Sequence, residues 1–180
     1  ADIYNYLGMS TISRKHLESI RDYVESFKIQ LVLGRFYVAL SASDEIDSNL
    51  DLAINNLETA KSYYDHLNKN NLMVPCLMNL SFLCYKNNDV KKANKYIMQA
   101  DSILKSGYTN EILSIKTAIY INLYKEKDTI DKNVVDTAFN SVQSKEYNEV
   151  FKGLADVYKK INDKIKYKEC ANLWNAYVQG

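Results

Sequence analysis

The residues of this 180-residue sequence that could act as nucleophiles, general bases or metal ligands are three cysteines and two histidines. Cys76, Cys84 and Cys170 form no Cys-x-x-Cys pair, so their spacing does not indicate a zinc or redox site. His16 and His66 lie far apart among charged or polar neighbours, with no Cys, Asp or Ser at a useful spacing. The sequence therefore predicts no catalytic centre, no metal site and no cofactor.

The cysteines and the charge balance also indicate the surroundings of the protein. An odd number of cysteines without metal spacing is typical of reduced thiols in a cytoplasm, and we expect these three to be small core side chains. Basic and acidic residues number 23 and 22, so no overall field favours nucleic acid or an anionic membrane. No apolar run approaches the roughly 20 residues of a membrane span. We therefore expect a cytoplasmic protein that contacts neither nucleic acid nor membrane through this segment.

The fifteen tyrosines are a second candidate for chemistry, because stacked aromatic side chains can bind single-stranded nucleic acid. Many of them fall at helical packing intervals, and no basic stripe accompanies them. We therefore expect most of them to be core residues.

The elements that must position any functional side chain are predicted to be helices. Five Gly and one Pro are too few for a turn-rich β architecture, and no β-hairpin signal appears. In residues 11–43 apolar side chains alternate by four and three, which predicts one long helix or two nearly collinear helices. Residues 43–51 read as a loop, and Pro75 is expected near the start of a helix.

The segment 74–100 predicts two short helices that fold back on each other. Ser81 is small enough for a partner helix to approach closely. Ala93 follows 12 residues later, where the second helix must pack tightly against the first. The same faces continue through four further residues: Leu77, Leu80, Ile97 and Ala100.

This pattern resembles the tetratricopeptide repeat (TPR) family, in which a small residue follows Leu and an Ala stands twelve residues later. Other copies are weaker: Gly34 pairs with Ala53 at a spacing of 19, Ala118 with Ala138, and Leu154-Ala155-x-x-Tyr158 precedes Tyr167, which stands where Ala is expected. The resemblance implies an all-α, α-α superhelix, a TPR-like solenoid of about four helical hairpins, over residues 11–180. Residues 1–10 are expected to be an N-terminal cap or disordered. A plain helical bundle is the alternative fold.

The resemblance implies binding of a peptide or protein in a concave groove lined by the first helix of each pair. In the register of the best copy the side chains facing that groove are Met78, Asn79, Phe82, Tyr85 and Lys86. The amide of Asn79 could pair with the backbone of an extended peptide, although bridging neighbouring helices is an equally good role for Asn. The same register adds residues that include cations for a ligand carboxylate: Arg35, Asn122, Lys152 and Lys159.

A narrower resemblance concerns peptide-sensing transcriptional regulators of Gram-positive bacteria, which join a helix-turn-helix to a TPR array. Residues 4–17, YNYLGMSTISRKHL, faintly echo the end of a helix-turn-helix, and Lys, Asn, Ile and Tyr are abundant. This resemblance implies that the chain is the ligand-sensing part of a quorum-sensing regulator, and it leaves a homodimer open. A general interaction scaffold or secretion-chaperone-like module is the alternative. An enzyme lacks any residue to nominate.

Overall fold

The computed structural model describes residues 2–107, 111–125, 129–145 and 147–180, apart from the side chains of residues 2, 27, 144 and 145. In these ranges the chain forms ten α-helices and one 3-10 turn at Asn148–Val150, and it contains no β-strand. The helices are α1 (Asp2–Tyr6), α2 (Ser10–Phe27), α3 (Gln30–Ile46), α4 (Leu50–Leu67), α5 (Asn70–Lys86), α6 (Val90–Lys105), α7 (Glu111–Tyr124), α8 (Lys132–Lys145), α9 (Phe151–Lys160) and α10 (Lys164–Gln179).

The chain divides into two compact units, residues 1–96 and 97–180, and the boundary falls within α6. The first unit has an apolar core between α2 and α3 that includes Leu17, Val24, Leu33, Phe36 and Leu40. The core of the second unit joins α7 to α10 and includes Ile115, Phe139, Phe151, Leu154 and Tyr158. Among the described residues, no helix is both long and apolar enough to span a membrane.

Four of the turns between helices repeat one geometry. Their central residues are left-handed, with φ of 70° at Gly8, 61° at Ser48, 61° at Asn88 and 62° at Asn162. In each turn this residue donates its N–H to the carbonyl three positions back, and the next residue donates to the carbonyl five positions back. These bonds satisfy carbonyls that the end of a helix leaves open. The first three turns are spaced 40 residues apart, which sets the length of one helix pair.

The expectation of one long or two nearly collinear helices over residues 11–43 is wrong. Lys28 is left-handed, with φ of 50°, and its N–H donates to the carbonyl of Glu25, which ends α2. The chain then reverses, because Arg14 near the start of α2 pairs with Asp44 near the end of α3. A lysine in this left-handed conformation costs about 1 kcal/mol. The packing of the two amphipathic helices offsets that cost, so the turn contains neither a glycine nor a proline that would have marked it in the sequence.

The twelve-residue spacing of a small residue and an alanine is confirmed in α5 and α6. Ser81 and Ala93 are fully buried, and the Ser81 hydroxyl donates to the Ala93 carbonyl at 2.8 Å. The same bond joins Ser41 to Ala53 at 2.8 Å in the preceding pair. The predicted pairing of Gly34 with Ala53 is therefore wrong.

Gly34 instead makes room for a tyrosine of the facing helix. A Cβ atom at this position would overlap the ring of Tyr64 in α4, so α3 and α4 could not approach as closely with any other residue there. Gly34 therefore does mark a close contact between α3 and α4, but this contact lies near the start of α3 and not where Ser41 meets Ala53.

Two further boundary expectations differ from the structure, and the segment before residue 11 is partly helical. The chain predicted as a loop at 43–51 is helical up to Ile46, because α3 ends only there. Pro75 is the sixth residue of α5 rather than a residue of its first turn. Residues 2–6 form α1, and Asn5 donates its amide to the carbonyl of Ala39 in α3 at 3.1 Å, so this segment packs on the repeats.

The last helix pair follows the sequence expectation. Leu154 and Tyr158 are fully buried on α9, and Ala155 is buried beside them. Tyr167, 12 residues after Ala155, is half-buried. In the pair before it, Ala138 is buried on α8, whereas Ala118 on α7 is only half-buried.

Candidate functional site

The exposed sides of α3 and α5 meet at an ion pair in the first unit. Lys86 Nζ lies 2.9 Å from Glu45 Oε1 on α3 and 5.3 Å from the centre of the Phe82 ring. Asn79, Phe82 and Lys86 are spaced by three and four residues, so they share one side of α5. We call Glu45, Asn79, Phe82, Tyr85 and Lys86 the α3/α5 face.

The α3/α5 face combines aromatic surface with polar edges. Phe82 is 37% exposed and Tyr85 is 44% exposed, which is high for large aromatic side chains. Glu45 pairs with Lys86 at 2.9 Å, whereas Asn79 is exposed one turn before Phe82. Such a surface can hold an apolar side chain on the rings and can donate and accept hydrogen bonds along an extended backbone.

The turn behind this face is tied to the preceding helix. The amide of Asn87, directly after α5, donates to Asp51 Oδ1 in the first turn of α4 at 2.8 Å. Equivalent ties join the turn residue Asp47 to Ser10 at the start of α2, and Lys132 at the start of α8 to Asp163 at 2.8 Å. Each tie joins a first helix to the second helix of the pair before it, and the first two ties hold the ends of α5 and α3 in this way.

Four of the nine predicted site residues lie on the α3/α5 face: Asn79, Phe82, Tyr85 and Lys86. Met78 is buried, with 6% of its surface exposed, on the packed side of α5. Asn122 is 2% exposed, and its geometry does not match the expected projection toward a groove. Its amide donates to the Ala118 carbonyl at 2.9 Å, and its oxygen accepts the N–H of Asp131 at 3.1 Å. The side chain thus fixes the end of α7 to the start of α8.

The three remaining cations are exposed in other parts of the chain. Arg35 is on the first half of α3, where its charge acts on the phenol of the buried Tyr64. Lys152 and Lys159 are exposed on α9 in the second unit. Glu45 is the member of the face that sequence reasoning missed, because it falls in the segment that was expected to be a loop. The signal that could have found it is the 40-residue spacing of Ser41 from Ser81.

The cysteines are buried, whereas His16 and His66 are exposed. Burial raises the pKa of Cys76 to about 12, that of Cys84 to about 11 and that of Cys170 to about 12, so all three are protonated core thiols at neutral pH. His16 stacks on Tyr4 at a ring distance of 5.4 Å. In the described parts of the chain, no three His, Cys, Asp or Glu side chains are grouped to hold a metal ion.

Comparison with known proteins decides the fold. No protein-family model and no curated protein sequence matches this chain. BtubC (BKLC) from P. vanneervenii has a similar structure, with a TM-score of 0.74 at 14% identity over 99% of this chain and 78% of that one. A Podosopora anserina protein described as a kinesin light chain with nearly identical TPR-like repeats gives a TM-score of 0.70 at 11% identity, over 97% and 90% of the two chains. A variant of that protein with one substitution gives 0.73 at 10% identity, over 97% and 89%.

The chain has a TPR-like fold. The expected all-α, α-α superhelical class is therefore confirmed, and the plain bundle is excluded. Within the TPR-like arrangement α3 and α5 are the first helices of successive hairpins, and α4 and α6 are the second helices. The residues of the α3/α5 face accordingly belong to two successive first helices.

Proposed function

We propose that this chain is a protein-interaction module that holds an extended segment of a partner protein on the α3/α5 face. The observation that carries the proposal is the position of Lys86, which contacts both Glu45 on α3 and the exposed ring of Phe82 on α5. This contact brings two neighbouring first helices together beneath one surface. The surface is apolar in its centre and polar at its edges, as peptide-binding surfaces commonly are.

The chemistry of the face favours a partner segment with an aromatic or aliphatic anchor. Phe82 and Tyr85 supply the apolar surface, and Asn79 supplies an amide that matches a peptide backbone. Because the one ammonium of the face is paired with Glu45, strong attraction to an acidic segment is not expected here. Arg35 lies ten residues before Glu45, about 15 Å along α3. A segment that reached it would need four to five extended residues beyond the face, at roughly 3.3 Å each.

The narrower form of the proposal is a sensor. A short peptide on this face would favour one arrangement of the helices, and an attached domain or a dimer partner would respond to that change. This form is supported by the resemblance of the sequence to peptide-sensing regulators. A general scaffold or chaperone-like module is the broader form, and a non-enzymatic, cytoplasmic protein is the expectation in both.

A peptide-display selection tests the proposal directly. Selection of random unstructured ten-residue peptides on the immobilised chain should yield binders, and Phe82→Asp should weaken them at least tenfold by placing a charge in the apolar centre. Leu52→Asp is the matched control, because Leu52 is 49% exposed on α4, which contributes no residue to the face. Equal loss with both variants, or no loss with Phe82→Asp, would exclude the α3/α5 face.

Solution scattering separates the two forms. A sensor should change its radius of gyration when a selected peptide saturates it, since its signal is a change of conformation. A scaffold should bind the same peptide with an unchanged scattering profile.

A further inference from the structure

The lysine of the α3/α5 face occupies a repeat position that recurs in the second unit. Lys86 and Lys160 each stand two positions before a left-handed turn residue, Asn88 and Asn162 respectively. Each lysine reaches the end of the first helix of the hairpin before its own. Lys86 does so by pairing with Glu45 of α3, whereas Lys160 donates to two main-chain carbonyls at the end of α7. The hairpin geometry therefore sets the reach of this lysine, but the group that receives its ammonium differs.

The fold does not require a carboxylate at the position of Glu45. Glu45 stands three positions before the left-handed residue Ser48. The residues with the same spacing from the other three turns of this type are Asn5, Tyr85 and Lys159. These four side chains include an amide, a phenol and charges of both signs, so the hairpin can form with any of them. The carboxylate of Glu45 is therefore free to serve the surface rather than the core.

The ion pair between Glu45 and Lys86 is accessible to a ligand. The side chain of Glu45 is 33% exposed and that of Lys86 is 39% exposed. The Lys86 ammonium also lies 5.3 Å from the centre of the Phe82 ring, so a segment whose anchor rests on this ring passes close to both charges. Exposed ion pairs are weak, and a charged group of the ligand can therefore compete for either partner.

The other carboxylates near this end of α3 have donors of their own. Asp47 accepts a hydrogen bond from the Ser10 hydroxyl. Asp51 accepts one from the Asn87 amide at 2.8 Å. In the part of the chain that the structure describes, Glu45 is the carboxylate that pairs with the ammonium of the face. It therefore decides how much of that positive charge a ligand meets.

We propose that Glu45 determines the charge preference of the α3/α5 face, so that the face selects segments that are uncharged around their apolar anchor. This inference rests on the proposed function. A ligand carboxylate has to displace Glu45 from Lys86, and it then leaves two carboxylates beside one ammonium. A ligand ammonium equally has to displace Lys86. An uncharged segment leaves the pair in place and still gains the contact with Phe82, so it is favoured over both.

Peptide selection on three forms of the chain tests this inference. The wild type, Glu45→Gln and Lys86→Met would receive the same library of ten-residue peptides, in which acidic and basic residues are equally frequent. We expect binders without net charge for the wild type, acidic binders for Glu45→Gln and basic binders for Lys86→Met. A glutamate added beside the anchor of a wild-type binder should tighten its binding to Glu45→Gln about threefold. This gain should vanish in about 0.5 M salt, because exposed charges are then screened.

Two further variants separate selectivity from folding. Asp65→Asn removes the partner of Lys61 from an ion pair of 2.6 Å on α4. It changes the net charge of the chain as much as Glu45→Gln does, but it should leave the selected peptides uncharged. The double variant Glu45→Lys with Lys86→Glu restores a pair of opposite charges, so it should return the selection to uncharged peptides. If Glu45→Gln instead weakened peptides of every charge alike, Glu45 would have only a structural role and the proposal would be overturned.

The outcomes also distinguish this inference from the proposed function. An absence of wild-type binders, or binders that Phe82→Asp does not weaken, would exclude the α3/α5 face and with it both proposals. Binders that depend on Phe82 but have the same mean net charge for the wild type, Glu45→Gln and Lys86→Met would overturn the role of Glu45 alone. An equal shift with Asp65→Asn would also overturn it, because the net charge of the chain would then explain the selection.

Discussion

The two units place side chains of different chemistry at the same position of the repeat. Asp44 in the first unit and Tyr158 in the second both precede the left-handed turn residue by four positions, and both are fully buried. Asp44 accepts hydrogen bonds from the Arg14 guanidinium and from the Asn56 amide, the latter at 2.6 Å. Tyr158 packs its ring edge-on against Phe139 at 6.1 Å. It also donates its hydroxyl to Asp136 at 2.6 Å.

This difference teaches that the hairpin backbone does not depend on what fills its interior. Cys84 occupies the same position in the intervening hairpin. Ile54 of α4 stands 40 residues after Arg14 of α2, so it is the counterpart of Arg14 in that hairpin. An ion-pair network, a buried cysteine and a hydrogen-bonded aromatic cluster thus occupy the same repeat position. In the two polar interiors, the buried groups of Asp44 and Tyr158 have partners, since an unpartnered polar group would cost more than the contact gains.

The largest effect is expected in the aromatic cluster. Tyr158→Ala should lower the free energy of unfolding by about 4 kcal/mol, because it leaves a cavity the size of a ring in a packed core. Tyr158→Phe keeps the ring and loses the bond to Asp136, which should cost about 1 kcal/mol. Amide exchange in α9 measures both changes locally, which is preferable in a chain with two units. Equal losses would show that the hydroxyl, and not packing, supports the second unit.

The second largest loss of stability is expected in the polar network around Asp44. Asp44→Cys removes the carboxylate from Arg14 and Asn56 and should cost about 3 kcal/mol, measured by urea unfolding. The double variant Asp44→Cys with Arg14→Ile places the two residues there that stand 40 positions later, Cys84 and Ile54, both of which are buried. It should be more stable than the single variant, because no guanidinium is then left beside an apolar side chain. A double variant that is less stable than Asp44→Cys would mean that the two interiors cannot be exchanged.

Loss of the serine hydroxyl where two helices cross should lower the free energy of unfolding equally in two hairpins. Ser41→Ala and Ser81→Ala each remove one hydroxyl that donates to a buried carbonyl at 2.8 Å, and each should cost about 1 kcal/mol. Urea unfolding of the two variants side by side gives the comparison. A clear inequality would show that the neighbouring interior chemistry influences the crossing point after all.

The smallest effect is expected at the ion pair between Lys132 and Asp163 on the surface. The Lys132 ammonium, together with the backbone N–H of Lys166, holds the pKa of Asp163 below the ordinary value of a carboxyl group. A lowered carboxyl pKa stabilises the fold above the ordinary pKa, and that stabilisation is lost as the pH falls through the folded-state pKa. Lys132→Met should raise the pKa of Asp163 toward its ordinary value, as followed by NMR titration of the carboxylate.

The corresponding tie in the first unit supplies the control for this titration. Asn87 is an uncharged donor to Asp51, so Asn87→Ala should leave the pKa of Asp163 unchanged. A pKa of Asp163 that stays low in the Lys132→Met variant would assign the shift to the backbone N–H of Lys166 instead.

Much of the helix pattern could be predicted from particular residues. Ser81 and Ala93 gave the correct crossing of α5 and α6, because a close approach of two helices requires small side chains at that point. Leu154, Ala155 and Tyr158 gave the correct buried face of α9 for the same reason. Asn88 and Asn162 are residue types that tolerate a left-handed turn.

The register of the first repeat could not be predicted in the same way. Lys28 and Ser48 take left-handed conformations that their side chains do not favour, so nothing local marked the end of α2 or of α3. With those ends misplaced, the sequence predicts Gly34 rather than Ser41 as the small residue where the two helices cross. Glu45 then fell outside any helix, and its pairing with Lys86 could not be foreseen.

By itself, the sequence determined an all-helical chain of hairpins, since apolar periodicity and small residues act over short distances along the chain. Only the tertiary structure decided where each reversal falls, which of the predicted site residues are exposed, and that Asn122 joins two helices instead of facing a ligand. Those outcomes depend on contacts between residues about 30 to 40 positions apart, and the free energy of such contacts is not encoded in any one segment.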